Sequence, residues 1–317
     1  MQFKKPRFWD YKKPNIFSYL LLPIALFIQI IVRLKTKSKF KNNKIKTICV
    51  GNIYIGGTGK TSLCIKINEI LNKRKIKSCF IKKLYPGQFD EQKLLQNHGK
   101  LFLSPERSKA INQAAEESFE FAIIDDGLQD YSANYDFEFV CFNNKNWVGN
   151  GLTIPAGPLR ESVNSIKRYN HIFLNGNLEN LENLENLEKE IFKINPKINI
   201  YFGKYVPLNI DQFNKTDKYL VFSGIGNHRT FVSMIRNYGL NILKDIEFPD
   251  HYNYTVDDID QILKESKKMS CKIITTEKDY IRLKKVNTDE IQFIKSDLKI
   301  INEEKLIENI LKKNETN

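Results

Sequence analysis

The residues best suited to chemistry lie in "GNIYIGGTGKT", Gly51 to Thr61. Gly56, Gly57 and Gly59 can take backbone angles barred to other residues, Thr58 continues the turn, Lys60 offers a cation and Thr61 a hydroxyl. A nucleoside triphosphate site needs inward-facing N–H groups at a helix N-terminus, a lysine reaching the outer phosphates and a hydroxyl on Mg2+. The strict pattern G-x-x-x-x-G-K-[ST] would place glycine where Tyr54 stands, so this loop departs from consensus without losing a working part. The metal also needs carboxylates at the end of a neighbouring strand. "FEFAIIDDGLQD" supplies Asp125 and Asp126 after an apolar run and before Gly127. They are expected at the carboxyl edge of a sheet, where α/β proteins bind ligands.

Positioning such a loop takes a strand before it and a helix after it. "IKTICVGN" is short, apolar and β-branched, and Leu63, Ile67, Ile70 and Leu71 recur at helical spacing. Further strand-like runs follow at "KSCFIKK", "FEFAIIDDG", "DFEFVCFNN" and "HIFLNG", with a helical stretch at "PERSKAINQAAEE". Strands apolar on both faces and alternating with helices predict a mostly parallel sheet covered on both sides. "NLENLENLENLE", Asn177 to Glu188, repeats a tripeptide, a period matching neither a strand nor a clean helix face. It reads as a low-complexity insertion near a domain boundary. Beyond it "INIYFGKYV", "KYLVFSGIG" and "CKIITTEKD" resume the strand pattern, with helices from about Arg229 and after a cap at Thr255. The fold class is therefore α/β: a P-loop-containing α/β/α sandwich over residues 47–200, then a smaller α/β domain with a C-terminal helix over 201–317.

Charge is placed unevenly. The chain carries 50 Lys and Arg against 37 Asp and Glu, a net +13, yet residues 1–46 hold twelve of the bases and only Asp10 as an acid. A nucleic-acid binder would carry its bases on the folded body; here they flank the apolar run "NIFSYLLLPIALFIQIIV", so nucleic acid is excluded as partner. As a helix the run would reach about 26 Å, short of a hydrocarbon core of about 30 Å, and both its flanks are basic where a spanning helix prefers one. Residues 1–46 are thus expected to hold a membrane-associating helix lying in an anionic surface, peripheral or monotopic, with Phe8, Trp9 and Tyr11 at headgroup level. Five scattered cysteines without a C-x-x-C pair suit a reducing cytosol and indicate no metal centre. His98, His171 and His228 have no motif around them and read as packing or surface residues. No obligate protein partner is evident.

"IPAGPLRES", "FPDHYNYT" and "TTEKDYIRL" complete the set. Together with the glycine loop, "DDGLQ" and the basic apolar N-terminus, in this order, they make the chain resemble the tetraacyldisaccharide 4'-kinases of lipid A synthesis over most of residues 45–283. The resemblance implies ATP- and Mg2+-dependent phosphorylation of the 4'-hydroxyl of an acylated glucosamine disaccharide 1-phosphate, giving lipid IVA. It places the work at the cytoplasmic face of the inner membrane of a Gram-negative bacterium, and it implies two α/β/α domains joined by a short β linker. By the same resemblance Lys60 and Thr61 serve nucleotide and metal, Asp125 and Asp126 the metal, and Arg160 the transferring phosphoryl group. Asp90 is the implied base, His251 its partner from the other domain, and Glu91 and Glu161 are implied substrate contacts. The chain departs from the family at "KKLY", Lys82 to Tyr85, where S-R-G-Y is usual, and at Asp130, where histidine is usual. The rival class is a membrane-associated P-loop ATPase of the partitioning type, which carries a lysine where Ile55 stands.

Overall fold

The computed structural model describes residues 5–33, 40–42, 44–84, 89–130, 133–176, 181–283 and 289–312. Most of the basic stretch after the apolar run, Tyr85 of "KKLY" and the first residues of the tripeptide repeat lie outside the described residues. The contacts divide the described residues into two units, residues 5–203 with 300–312, and residues 204–299.

In the larger unit an N-terminal helix α1 (Ile16–Arg33) precedes the alternating series. The series runs β1 (Lys46–Gly51), α2 (Lys60–Lys73), β2 (Ser78–Lys83), α3 (Phe89–His98), β3 (Leu101–Ser104), α4 (Arg107–Glu116) and β4 (Phe121–Asp125). It continues through β5 (Phe137–Asn143), β6 (His171–Asn175), α5 (Leu181–Ile194) and β7 (Asn199–Pro207), whose residues from Lys204 fall in the smaller unit. The smaller unit contributes β8 (Lys218–Ser223), α6 (His228–Asn237), β9 (Asn241–Glu247), α7 (Val256–Met269), β10 (Lys272–Thr276), α8 (Glu277–Arg282) and β11 (Ile291–Ile294). The edge strand β12 (Ser296–Ile300) and helix α9 (Glu303–Lys312) close the chain.

The larger sheet has the order β12-β7-β6-β5-β1-β4-β2-β3, and β3 to β7 pair in parallel throughout. After β1 the chain builds one flank with β2, β3 and β4, then crosses to the other with β5, β6 and β7. The reversal lies at β1, and ligands in open α/β sheets bind outside the carboxyl ends of strands at such a point. The smaller sheet, β11-β10-β8-β9, is parallel as well. Its core is formed by Tyr219, Val221, Ile235 and Ile274 on one face and Leu220, Phe222, Ile259 and Ile273 on the other. Thr255 caps α7 through a capping box with Asp258. Helix α9, expected with the smaller domain, belongs to the larger unit, where Leu306, Ile307 and Ile310 are buried and Asn309 donates to the Tyr201 hydroxyl at 2.7 Å.

Two expectations change. The described part of the tripeptide repeat, residues 181–188, read as a low-complexity insertion, forms the first half of α5. Three residues advance a helix by about 300°, so two such steps drift only about 120° and keep leucines on one side. Ile191, four residues after Leu187, returns to that side, and Leu184, Leu187 and Ile191 are all buried. The apolar run does form a helix, but not one turned wholly outward. Ser18 and Ala25 are buried, Ser18 Oγ accepts from Asn150 Nδ2 at 3.0 Å, and Gln29 Nε2 donates to the Arg160 carbonyl at 3.3 Å. Ile16, Phe17, Leu20, Ile24, Phe27 and Ile31, at helical spacing, remain exposed. Among the described residues no helix is long and apolar enough to cross a membrane.

Candidate active site

The glycine loop connects β1 to α2 as the sequence requires. Gly59 is the N-cap of α2 with φ at 81°, and Gly56 has φ at 122°, both in the left-handed region where a side chain would be strained. The loop is braced from below: Asn52 Nδ2 donates to Thr58 Oγ1 at 2.9 Å and to the Gly56 carbonyl at 3.3 Å, and Asn175 at the end of β6 donates to the Thr58 carbonyl. Tyr54, which occupies the place of the missing glycine, is buried. Its hydroxyl donates to Asp10 Oδ1 at 2.5 Å and accepts from Lys5 Nζ at 3.1 Å, so the loop holds the N-terminal segment.

The acidic turn faces this loop. Val50 on β1 and Lys82 on β2 are the register partners of Asp125 on β4, so all three end at the same edge of the sheet. Thr61 Oγ1 donates to Asp125 Oδ2 at 3.2 Å, and Lys60 Nζ stands 3.9 Å from Asp126 Oδ2. Asp126 has φ at 56°, left-handed for a non-glycine residue, and its N–H donates to the Val50 carbonyl. Arg160 Nη1 reaches both Asp126 oxygens, at 3.0 and 3.2 Å, and Gln129 Oε1 at 3.2 Å. Burial pushes the Asp126 carboxyl up, but Lys60 and Arg160 outweigh it and hold the group below the usual carboxylate range. Asp126 is therefore ionised at neutral pH while two cations stand ready beside it.

A buried lysine, which the sequence reading did not assign to the site, ties the cluster to α3. Lys82 Nζ lies 2.6 Å from Asp125 Oδ2 and 2.7 Å from Glu91 Oε2, with the lysine 3% and Asp125 0% exposed. Burial works against the ammonium, but Asp125 and Glu91 raise its pKa above the ordinary value. Helix α3 is thus fastened at its first turn, where Asp90 is also buried. Asp130, in the histidine's expected place, pairs with buried Arg107, whose Nη2 donates to the Asp126 carbonyl at 2.8 Å. Glu161 is buried and held by Arg168, by the Tyr169 hydroxyl at 3.4 Å and by Gln129 Nε2 at 2.9 Å. Arg160 and Glu161 share Gln129, so this glutamine of "DDGLQ" sets the arginine's loop against the acidic turn.

The larger unit therefore brings together Gly56, Gly57, Thr58, Gly59, Lys60, Thr61, Asp125, Asp126, Arg160 and Glu91, with Asp90 beside Glu91. His251 belongs to the smaller unit, in the turn between β9 and α7. Its φ is 58°, its N–H donates to the Gly224 carbonyl at 3.0 Å, and Arg282 Nη2 lies 3.3 Å from its Nδ1.

The converging oxygens suit Mg2+. The Thr61 hydroxyl and two carboxylates are hard donors, and Mg2+ takes one or two carboxylates along with phosphate oxygens and waters rather than a full protein cage. Among the described residues there is no group of three or more His, Cys, Asp or Glu side chains that could hold a metal ion.

Comparison with known proteins places this arrangement. The family described as "Tetraacyldisaccharide-1-P 4'-kinase" matches residues 17–315. A tetraacyldisaccharide 4'-kinase of Pelagibacter ubique is 58% identical over 317 residues, covering 100% of both chains, and one of Rickettsia canadensis is 33% identical over 97% of each. Among solved structures, LpxK from Aquifex aeolicus in complex with ATP shares the fold, with a TM-score of 0.63 at 24% identity over 93% of this chain and 96% of that one. Matched over nearly its whole length by one family, and along its full length by a close relative of that name, this chain belongs to the tetraacyldisaccharide-1-P 4'-kinase family.

Proposed function

We propose that the chain moves the γ-phosphoryl group of ATP to the 4'-hydroxyl of an acylated glucosamine disaccharide 1-phosphate, giving lipid IVA and ADP. The observation carrying this reading is the convergence of Lys60 and Thr61 with Asp125, Asp126 and Arg160 at the sheet's switch point. The amides of Gly56 to Thr61 and the N-terminus of α2 would hold the β- and γ-phosphates, with Lys60 neutralising their charge. Thr61, Asp125 and Asp126 would hold Mg2+, which supplies charge neutralisation across the phosphates. Arg160, set by Gln129, would follow the charge as it spreads over the transferring oxygens. Asp90 takes the proton of the sugar hydroxyl as that oxygen bonds to phosphorus and the bond to the β-phosphate oxygen breaks, with His251 assisting. A loose phosphoryl-transfer transition state needs positioning and charge more than a strong base, so an aspartate suffices. In this reading the larger unit is the nucleotide-binding domain, the smaller one supplies His251, and Glu91 and Glu161 order the residues that meet the substrate.

The exposed apolar face of α1 and the basic residues around it would hold the chain on the anionic cytoplasmic face of the inner membrane, where the lipid substrate lies. The test is transfer of labelled phosphate from ATP to the acylated disaccharide 1-phosphate in mixed micelles, with Asp90→Asn and Asp126→Asn beside the parent chain. Lipid-dependent transfer lost in both variants supports the reading. ATP hydrolysis indifferent to the lipid would instead favour an ATPase of the partitioning type.

A further inference from the structure

The glycine loop is not supported by its own strand and helix alone. Its first half, residues 53–55, pairs with the loop that carries Arg160. Arg160 N donates to the Ile53 carbonyl at 2.7 Å, Ile55 N donates to the Pro158 carbonyl at 2.8 Å, and Tyr54 and Leu159 form an antiparallel bridge between them. A shift in either strand of this short ladder therefore moves both the phosphate loop and the arginine.

The N-terminal segment and α1 grip both strands. On the glycine-loop side, the buried Tyr54 donates to Asp10 Oδ1 at 2.5 Å, and Lys5 Nζ lies 2.7 Å from that oxygen and 3.1 Å from the Tyr54 hydroxyl. Burial and the Asp10 charge push the Tyr54 pKa up, so its hydroxyl stays protonated, and a donor, at neutral pH. On the Arg160 side, Trp9 Nε1 donates to the Pro155 carbonyl at 3.1 Å and Asn150 N donates to the Trp9 carbonyl at 3.0 Å. A Cβ on Gly149 would fall 2.3 Å from that carbonyl oxygen, so the segment lies directly on the loop. From α1, Gln29 Nε2 donates to the carbonyl of Arg160 itself at 3.3 Å, and Ser18 Oγ accepts from Asn150 Nδ2 at 3.0 Å.

Seated in this way, α1 turns polar groups to the ladder and leaves Ile16, Leu20, Ile24, Phe27 and Ile31 exposed. In water, arrangements of α1 that cover this apolar side compete with the seated one. An anionic lipid surface covers it without disturbing the seat. A ligand shifts such an equilibrium by its differential affinity for the two states, and the coupling between two ligands is reciprocal.

We propose that Tyr54, bound to Asp10, is a positioning residue through which the seated N-terminal segment holds the glycine loop, so that an anionic lipid surface and Mg-ATP each tighten the binding of the other. The inference rests on the nucleotide and surface roles proposed above and adds the connection between them.

The test is equilibrium binding of Mg-ATP to the full chain, in buffer and on mixed phosphatidylcholine–phosphatidylglycerol vesicles, beside vesicle co-sedimentation with and without Mg-ATP. The surface should tighten Mg-ATP binding at least about fivefold, and Mg-ATP should tighten vesicle binding by the same factor. Simple charge gives the opposite sign, because an anionic surface repels ATP. Asp10→Ala removes the acceptor of the Tyr54 hydroxyl together with one negative charge: vesicle binding should hold or rise while the coupling factor falls below about twofold. Asp10→Asn removes the same charge but keeps an acceptor oxygen, and should restore most of the factor. A parent chain that binds both ligands with a coupling factor under about twofold would overturn the proposal without any variant. Asp10→Ala retaining the parent factor, or Asp10→Asn losing as much as Asp10→Ala, would overturn the role given to Tyr54. A parent chain that binds no Mg-ATP would overturn the proposed function, and this inference with it.

Discussion

Replacing Lys82 by methionine removes the cation that bridges Asp125 and Glu91, while keeping most of the side chain's apolar stem. In the parent chain Nζ is 2.6 Å from Asp125 Oδ2 and 2.7 Å from Glu91 Oε2, and the exposures are 3% for the lysine, 0% for Asp125 and 16% for Glu91. Among the described residues, the variant would leave the buried Asp125 carboxyl with hydrogen bonds from the Thr61 hydroxyl at 3.2 Å and the Cys64 thiol at 4.0 Å. Removing one partner of a buried ion pair costs about 3–5 kcal/mol because the other charge stays desolvated. At about 4 kcal/mol the folded-to-unfolded ratio of the larger unit falls roughly a thousandfold, a large part of a typical total of about 5–15 kcal/mol. The assay is urea unfolding followed by a signal from the larger unit, for Lys82→Met, Asp125→Asn and the double variant. Because asparagine removes the stranded charge, the double variant should be destabilised by clearly less than the sum of the two singles. A single-variant loss under about 1 kcal/mol, or strict additivity, would refute the reasoning, since either would mean the three charges are solvated and independent.

Four other outcomes follow from the same contacts. Lys60→Ala should lower phosphoryl transfer by at least about a hundredfold while leaving the urea midpoint near the parent value, since its nearest carboxylate oxygen is 3.9 Å away. Asp136 accepts from Thr47 N and Oγ1 and pairs with Lys41 at 2.8 Å; burial pushes its carboxyl up, but these partners more than offset that and lower it. A lowered folded-state value gives stability that is full above the unfolded pKa of about 3.9 and is lost as pH falls through the folded one, so Asp136→Asn should cost stability at pH 7 and little near pH 2. Ile191→Ala, at a fully buried position of α5, should lower stability by about 2–5 kcal/mol in the same unfolding assay. Glutamates at Leu20 and Phe27, 68% and 65% exposed on α1, should each weaken co-sedimentation with anionic vesicles at least about tenfold and leave folding unchanged.

The parts of the fold legible in the sequence were those with a short-range signature. Strand β1, the glycine loop and α2 read directly because the loop's chemistry and the flanking periodicities fall within a few residues of one another. Strands β2, β4, β5, β6, β7, β8 and β10 appear as apolar runs, and the Thr255 cap as a local pattern. Strand β9 was not legible: its residues alternate between half-buried and exposed, and "NILKDIE" carries three charges and an asparagine in seven positions. Helix α5 was hidden by its period of three, because the residue that restores the helical face, Ile191, lies beyond the repeat. At the site, Lys60, Thr61, Asp125 and Asp126 could be named from local pattern. Lys82 could not, because its partners are set by strand register and by α3; the only signal was a charged pair ending an otherwise apolar strand.

The positions where the chain departs from its motifs carry a common lesson. Tyr54 replaces a loop glycine, Lys82 falls where the resembled family usually has serine, and Asp130 falls where it often has histidine, so from sequence each is only a departure from a pattern. In the structure each carries a charged or charge-assisted contact binding a separate segment to the glycine loop, the end of β2 or the acidic turn. Tyr54 takes Asp10 of the N-terminal segment, Lys82 takes Glu91 of α3, and Asp130 takes Arg107 of α4, which also holds the Asp126 carbonyl. A loop aimed at phosphates must keep its donors fixed with no ligand present, since electrostatic stabilisation works by geometry arranged beforehand. Three part-buried polar contacts from three elements supply that fixity here. It follows that restoring the motif residues singly, for example Asp130→His, would not improve the site: it would leave the buried Arg107 guanidinium without its carboxylate, and lower activity through the Asp126 turn.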